Sequence, residues 1–337
     1  MRAFVITGPG HGEVQQVERP RAGPGEVIVE VERAGVCGTD VELFTGDLAY
    51  LHTGEASYPI RIGHEWSGVV RAAGDGADQG WVGRRVTGDT MLGCGDCRRC
   101  HAGRHHLCAD RFEIGIRRGW PGALAEQLLV PASALHALPD GVDPALGALA
   151  EPGGNAMRAV LAAGVGRGGR LLVLGPGTIG LLVARIAAAR GVEVHLLGET
   201  AASLRFARSL GLDQAWTRPA LPRLRWDGVV DASNAAALPA LALDLVEPGG
   251  RVVYIGLAGQ PAVIDTRIAV LKDVTAVGLL GGSAGLAEAI ASYAAGQVDP
   301  RPLVAATVGL DEVAGVLAGQ RSPAWGDAPK VHVDPRR

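Results

Sequence analysis

The segment Cys94–Cys108, CGDCRRCHAGRHHLC, sets four thiols at C-x2-C-x2-C-x7-C. Four thiolates complete a tetrahedral zinc shell, and a closed shell of this kind is structural rather than catalytic. The alternative is a set of free or disulfide-bonded cysteines. Nothing in the sequence points to export, which disfavours disulfides. The interleaved Gly95, Asp96, Arg98, Arg99 and Gly103 suit a loop folding around an ion. A fifth thiol, Cys37, stands apart in Gly35-Val36-Cys37-Gly38-Thr39-Asp40. With a hydroxyl two positions on, it suits a metal ligand beside a proton relay, or else a small core residue. His64 and Glu65, in Gly63-His64-Glu65-Trp66-Ser67-Gly68, offer an imidazole and a neighbouring carboxylate. Glu151, in Leu149-Ala150-Glu151-Pro152, is a third candidate ligand or an ordinary helix-start acid. Three ligands of mixed sulfur, nitrogen and oxygen type leave a fourth position for water or substrate, as catalytic zinc sites require.

A second kind of chemistry lies in residues 170–191, RLLVLGPGTIGLLVARIAAARG. An apolar strand, Leu171–Leu174, enters Gly175-x-Gly177-x-x-Gly180, and an Ala-rich helix follows to Arg190, ending at Gly191. In this strand–turn–helix context the glycines read as a dinucleotide loop. Gly175 permits the turn, Gly177 lets a pyrophosphate approach, and Gly180 lets the helix pack on the strand. Thr178 and Ile179 open the helix whose N-terminus would face the phosphates. The acid that holds the adenosine ribose is expected about twenty residues past the glycines. Counting from Gly180 gives Glu199 and hence NAD. Counting back from Leu204 gives Gly198, which leaves room for the 2′-phosphate of NADP. The first is favoured, because no Arg immediately follows and Glu199 would repel a phosphate.

These groups need two kinds of framework. In the first half, residues 3–7, 27–32 and 68–72 are short, β-branched and bounded by Gly, Pro and Asp turns, which predicts a small antiparallel barrel or sandwich. In the second half, strands at 193–197, 228–231, 251–256 and 275–279 alternate with helical stretches, which predicts a parallel, doubly wound sheet. Asp231 to Asn234 and Gly256 to Gly259 fall at carboxyl ends of strands, where such sheets bind ligands. The fold class is α/β with a β-rich companion domain. The 337 residues suit two domains. Hydrophobic content of 47% allows a large core, and the 50 glycines, spread through apolar segments, indicate turns rather than disorder. A net charge of −3 without a basic run argues against nucleic acid or an anionic membrane surface. The N-terminal apolar run is too short for a signal peptide, and no apolar run of about 18 residues is present to span a membrane. A cytoplasmic protein with reduced thiols is expected.

Taken in order, GVCGTD at 35–40, GHEWSG at 63–68, the four-cysteine lobe, LAEP at 149–152 and GPGTIG at 175–180 resemble the zinc-containing medium-chain dehydrogenase/reductase family, the alcohol dehydrogenase superfamily, over nearly the full length. The sorbitol, threonine and glucose dehydrogenase branch is the most similar. The resemblance implies a GroES-like catalytic domain, residues 1–151 and 283–337, with a zinc lobe at about 93–109, around a Rossmann domain at 152–282. It implies Cys37, His64 and Glu151 as ligands of a catalytic zinc, with Cys94, Cys97, Cys100 and Cys108 holding a structural one, two ions per chain. Glu65 then lies beside the metal and exchanges with its water, while Thr39 carries the hydroxyl relay. Many polyol and threonine dehydrogenases of the family have a His three residues after that Thr. Here the position is Glu42, closer to the family's glucose dehydrogenases. Glu42 is thus an outer relay group, a substrate contact or a solvent-facing acid. The implied activity is hydride transfer between a secondary alcohol (a polyol, sugar or cyclitol) and NAD(P), by a homodimer or homotetramer. Its rivals are ketone reduction by the same machinery and a non-catalytic NAD(P)-binding protein. The expected pocket is a cleft walled by residues 44–61 and 112–121, with Trp66 and Trp120 as wall or core aromatics.

Overall fold

The computed structural model describes residues 1–337, which fall into two compact units. The first comprises Met1–Glu151, Asp299–Gly326 and Lys330–Arg337. Its chain runs β1 (Arg2–Gly8), β2 (His11–Gln16), β3 (Glu26–Val36), α1 (Gly38–Thr45), α2 (Ala49–Thr53), β4 (Ile60–Arg61), β5 (Glu65–Ala73), β6 (Arg85–Gly88), β7 (Met91–Leu92), α3 (Arg98–His101), β8 (Phe112–Glu113), β9 (Gln127–Pro131), β10 (Leu135–Ala137) and α4 (Pro144–Ala148). The second unit, Pro152–Val298 with Asp327–Pro329, takes up most of α5 (Ala150–Ala163). It continues with β11 (Arg170–Leu174), α6 (Thr178–Ala189), β12 (Glu193–Leu197), α7 (Ala201–Ser209), β13 (Ala215–Trp216), β14 (Trp226–Asp231), α8 (Leu238–Leu245), β15 (Val246–Tyr254), α9 (Thr266–Leu271), β16 (Thr275–Gly278) and α10 (Leu286–Ala294). The chain then returns to the first unit as β17 (Val304–Val308), α11 (Val313–Leu317) and β18 (Lys330–Val333).

The main sheet of the first unit has the order β10-β6-β5-β3-β18-β17, with β9 also on β3. β3 is its spine. Val27, Val29 and Val31 alternate inward and are fully buried with Trp66, Val70, Leu128 and Val130, as the two-residue period of a strand requires. A register shift between Val31 and Arg33 marks a bulge, beyond which Arg33, Ala34 and Gly35 pair with Ser67, Trp66 and Glu65. Bulges of this kind re-aim side chains next to functional sites. Trp66, one of the aromatics that could have lined a pocket, belongs to the core instead. Trp120 is half-buried, with its ring edge-on to Phe112 and Nε1 donating to Leu129 O at 3.0 Å.

The second unit holds a parallel sheet of order β13-β12-β11-β14-β15-β16. Its central strands are buried over most of their length, Leu171–Leu174 in β11 and Gly228–Asp231 in β14, as a parallel sheet covered on both faces requires. Residues 283–298, expected with the catalytic domain, fall in this unit. The reason is the packing of α10 on α5. A Cβ on Gly154 would stand 3.1 Å from the Leu286 backbone, and one on Gly153 would strike the Tyr293 hydroxyl.

Candidate functional site

Two strand ends bring the isolated cysteine and histidine together. β3 stops at Val36, and Cys37 follows as the N-cap of α1. β5 begins at Glu65, directly after His64. Because Gly35 pairs with Glu65, the two motifs meet, and the ligand atoms of Cys37, His64 and Glu65 lie within 4.8 Å of one another. His64 is buried. A thiol and a buried imidazole side by side suit a borderline-soft metal such as zinc.

Asp40 organises this corner, a role the sequence reading did not assign. It is fully buried. Its Oδ2 accepts from Cys37 N at 2.8 Å, and its Oδ1 accepts from Gly63 N at 3.3 Å and stands 3.5 Å from His64 Nδ1. Burial alone would lower the His64 pKa, yet Asp40 and Cys37 raise it well above its ordinary value. The signal was present: an acid three residues after Cys37, at the N3 position of a capping box. Thr39 and Glu42 lie on the same helix, both half-buried. Burial, and then Asp47, raises the Glu42 pKa.

Glu65 does not sit free beside the metal position. Both of its oxygens accept from Lys330 Nζ, at 2.6 and 2.7 Å, and the ammonium also donates to Val36 O at 3.0 Å. Lys330 and Glu65 are both buried. Burial would depress the lysine, but Glu65 and then Cys37 raise its pKa. Gly35 is required here, because a Cβ at that position would run into Glu65 Oε2. Lys330 also escaped the sequence reading, since 265 positions separate it from Glu65. Glu151 is buried in the first turn of α5 and is not one of the three residues whose ligand atoms converge.

The four lobe cysteines do converge. Their sulfurs lie within 4.8 Å of one another, with Sγ separations of 3.6 Å (Cys97–Cys100), 3.8 Å (Cys97–Cys108) and 4.0 Å (Cys94–Cys100). A tetrahedron with Zn–S bonds of about 2.3 Å has edges of about 3.8 Å, so the set fits one zinc ion. Backbone N–H groups, first that of Cys100, pull the Cys97 thiol down to about 7, while desolvation, the largest cause, pushes its partner Cys100 up to about 11.

In the second unit the glycine loop has the geometry expected of it. Gly175 has φ +98°, a left-handed conformation that suits glycine. A Cβ on Gly180 would strike Gly175 O, whereas one on Gly177 would meet nothing within 4 Å. Gly177 is the N-cap of α6, with Thr178 and Ile179 in its first turn. β12 ends at Leu197, so Gly198 is the first residue past the strand, buried, and Glu199 is exposed beside it. Asp231, at the end of β14, is buried and accepts from Ser233 N at 3.1 Å and Ser233 Oγ at 2.7 Å.

The family model for the alcohol dehydrogenase GroES-like domain matches residues 23–140, and that for zinc-binding dehydrogenases matches residues 178–295. The L-threonine 3-dehydrogenase of Saccharopolyspora erythraea is 35% identical over 83% of this chain and 84% of its own. That of Rhizobium johnstonii is 29% identical over 99% and 98%. Among solved structures, a protein assigned as a zinc-binding dehydrogenase from Sinorhizobium meliloti 1021, bound to NADP, superposes with TM-score 0.89 at 28% identity, covering 99% of each chain. The alcohol dehydrogenase of Thermus sp. ATN1 gives 0.88 at 27%, again covering 99% of each.

Proposed function

Because this chain belongs to the zinc-containing medium-chain dehydrogenase/reductase family, we propose that Cys37, His64 and Glu151 hold its catalytic zinc and that it oxidises a polyol, sugar or cyclitol-like secondary alcohol. The observation that carries this reading is the convergence of Cys37 and His64 on the buried Asp40. Glu65 is committed to Lys330 through both oxygens, and the family resemblance implies Glu151 as the oxygen ligand.

Zinc, when bound, would supply a Lewis acid for the alcohol oxygen, and a bound nicotinamide cofactor would supply the hydride acceptor. The chain supplies the rest. Asp40 fixes the position of His64 as a carboxylate partner does in zinc sites generally. The Thr39 hydroxyl takes the alcohol proton and passes it outward, with Glu42 three residues on as the outer acceptor. Lys330 keeps the Glu65 carboxylate back from the substrate position. Gly175, Gly177, Thr178, Ile179 and Gly180 seat the pyrophosphate at the α6 N-terminus, and Glu199 takes the ribose diol, which favours NAD over NADP. The four lobe cysteines hold a second, structural zinc, making two ions per chain. The reverse reaction, reduction of a ketone, uses the same groups.

The protein works as a homo-oligomer, a dimer or tetramer. The support is an exposed apolar surface on the second unit: Val263, Val270 and Leu271 are more than three-quarters exposed, and β16 is an edge strand. No helix is long and apolar enough to cross a membrane, and five free cysteines suit a reducing cytoplasm. The test is a panel of secondary alcohols, sugars, polyols and L-threonine, each with NAD and NADP, assayed for reduced cofactor. Turnover is expected with the zinc-loaded protein and not with Cys37→Ala. Equal turnover by both would remove the catalytic-zinc reading.

A further inference from the structure

A connected set of side chains joins the four-cysteine lobe to the metal corner, and the proposed reaction uses none of it. Arg111 is its centre, half-buried, with its N–H groups divided three ways. Nη1 donates to Cys108 O at 3.3 Å, Nε donates to Glu113 Oε1 at 2.8 Å, and Nη2 donates to Tyr50 Oη at 3.1 Å. Tyr50 Oη in turn donates to the same Glu113 oxygen at 3.2 Å, which closes a ring of three groups. Burial, then Glu113, raises the Tyr50 pKa, so the phenol keeps its proton for that bond. Glu113 is buried, and Arg111 compensates its charge. Arg117, also buried, braces the ring by donating from Nη1 to Arg111 O at 2.6 Å and from Nε to Glu55 Oε1 at 2.8 Å.

From Glu113 the contacts run on to the metal corner through the backbone. Glu113 pairs with Met91 across β8 and β7, and Ile114 N donates to Thr90 O at 2.9 Å. Thr90 is buried, and its hydroxyl donates to His64 O at 3.0 Å. Gly115 has φ +70°, and a Cβ there would stand 2.7 Å from Gly63 O and 2.8 Å from Gly63 N. Gly63 N is also the group that Asp40 Oδ1 accepts from. The His64 backbone is thus fixed from two sides, by Asp40 through Gly63 and by residues 113–115 through Thr90 and Gly63. Every step from Cys108 to His64 is a hydrogen bond, a strand pairing or a close contact within the first unit.

We propose that Arg111 is a positioning residue that couples the four-cysteine lobe to the Cys37–His64 corner. With the lobe closed, Cys108 O holds Arg111, Arg111 holds Glu113 and Tyr50, and residues 113–115 hold the backbone of His64. An open lobe withdraws Cys108 O and loosens that chain. The coupling is reciprocal, so an occupied corner also favours the closed lobe. It presupposes the proposed function, with zinc at both sites. An ordinary ion pair stabilises its own unit and leaves the metal affinity of a site it does not touch unchanged. Coupling differs from that by a non-additive response at the two ends.

The test is chelator competition for zinc on the full, zinc-loaded chain, with Cys37→Ala marking which of the two releases belongs to the corner. Arg111→Gln is expected to keep the lobe ion and to weaken the corner ion about 10-fold. Arg71→Gln, which breaks an exposed pair with Glu30 in the same unit, should change neither. Arg111→Gln also strands the buried Glu113 charge. Adding Glu113→Gln should recover stability and leave the corner just as weak. Cys97→Ser should weaken the corner by a similar factor in the unaltered chain and add nothing in Arg111→Gln. Unchanged corner affinity in Arg111→Gln, corner affinity that returns with stability in the double variant, or effects of Cys97→Ser and Arg111→Gln that multiply would overturn the coupling and leave two zinc ions per chain standing. An unaltered chain that holds a single ion would overturn both. Should Arg111→Gln or Cys97→Ser fail to fold, the double variant against Arg71→Gln decides.

Discussion

Replacing Lys330 with Met strikes the buried pair beneath the metal corner. The two Nζ–O separations, 2.6 and 2.7 Å, correspond to a Coulomb attraction of about 6 kcal/mol at an effective dielectric constant of about 20. Desolvation of both charges offsets much of that in the intact protein. The variant keeps the cost of burying Glu65 and loses the attraction, so stability should fall by about 3–5 kcal/mol. Val36 O loses its donor at the same time. For a domain of this size Tm should drop by roughly 10 °C. The assay is thermal and urea unfolding of zinc-loaded Lys330→Met, Glu65→Gln and the double variant. Neutralising Glu65 in the double variant removes the stranded charge, so it should recover about 2 kcal/mol. The sign of the pH dependence follows from the raised lysine pKa. Stability from the pair is complete below the unfolded value of 10.5 and disappears as pH rises through the higher folded value. A loss below about 1 kcal/mol, or a double variant no more stable than Lys330→Met, would refute the reasoning.

Asp40→Asn should weaken zinc at the Cys37–His64 site by about 10- to 100-fold in chelator competition, because the carboxylate that orients His64 is gone; unchanged affinity counts against its assigned role. Cys97→Ser should cost one of the two zinc ions proposed per chain and lower the unfolding temperature, since structural zinc contributes folding energy directly. Full metal content in that variant would remove the four-thiolate shell. Glu199→Ala should shrink the preference for NAD, and a wild-type preference for NADP of tenfold or more, about 1.4 kcal/mol in kcat/KM, would instead assign the ribose position to Gly198. Glu42→Gln should lower kcat for alcohol oxidation more than it changes KM. The raised Glu42 pKa means its basic form accumulates only as pH climbs past that value, so the variant should lose that part of the acid limb. An unaltered pH–rate profile and turnover would remove the relay.

What the sequence displayed, and what it hid, divides along the range of the interactions. The loop Gly175–Gly180 was legible because its requirements are local: a left-handed turn, an open Cβ direction and a close helix approach, each met within six residues. The lobe was legible because one short segment carries all four thiols. Cys37 and His64 could be read only as separate candidates until β3 and β5 were seen to pair and to end beside one another. Glu65 looked like a spare ligand, yet a lysine delivered by a distant strand holds both its oxygens. Trp66 looked available to a pocket, yet strand alternation turns it into the core opposite Ala34. The assignment of residues 283–298 turned on the contact of α10 with α5, glycine against Tyr293 and Leu286, which no periodicity reveals.

The interrupted course of the first unit bears on how the molecule is made. Ribosomal synthesis runs from the N-terminus, and domains generally fold as they emerge. The second unit is continuous apart from Asp327–Pro329, so nearly all its contacts become available in one stretch. The first cannot close until β18 is made, because that strand covers the free edge of β3 and brings Lys330 to Glu65. A nascent chain therefore leaves Ala34–Val36 of β3 and the Glu65 charge without partners while the second unit is being completed. Chaperone dependence should concentrate on that interval, and ribosome-bound chains halted before Lys330 should acquire the nucleotide fold ahead of the metal site.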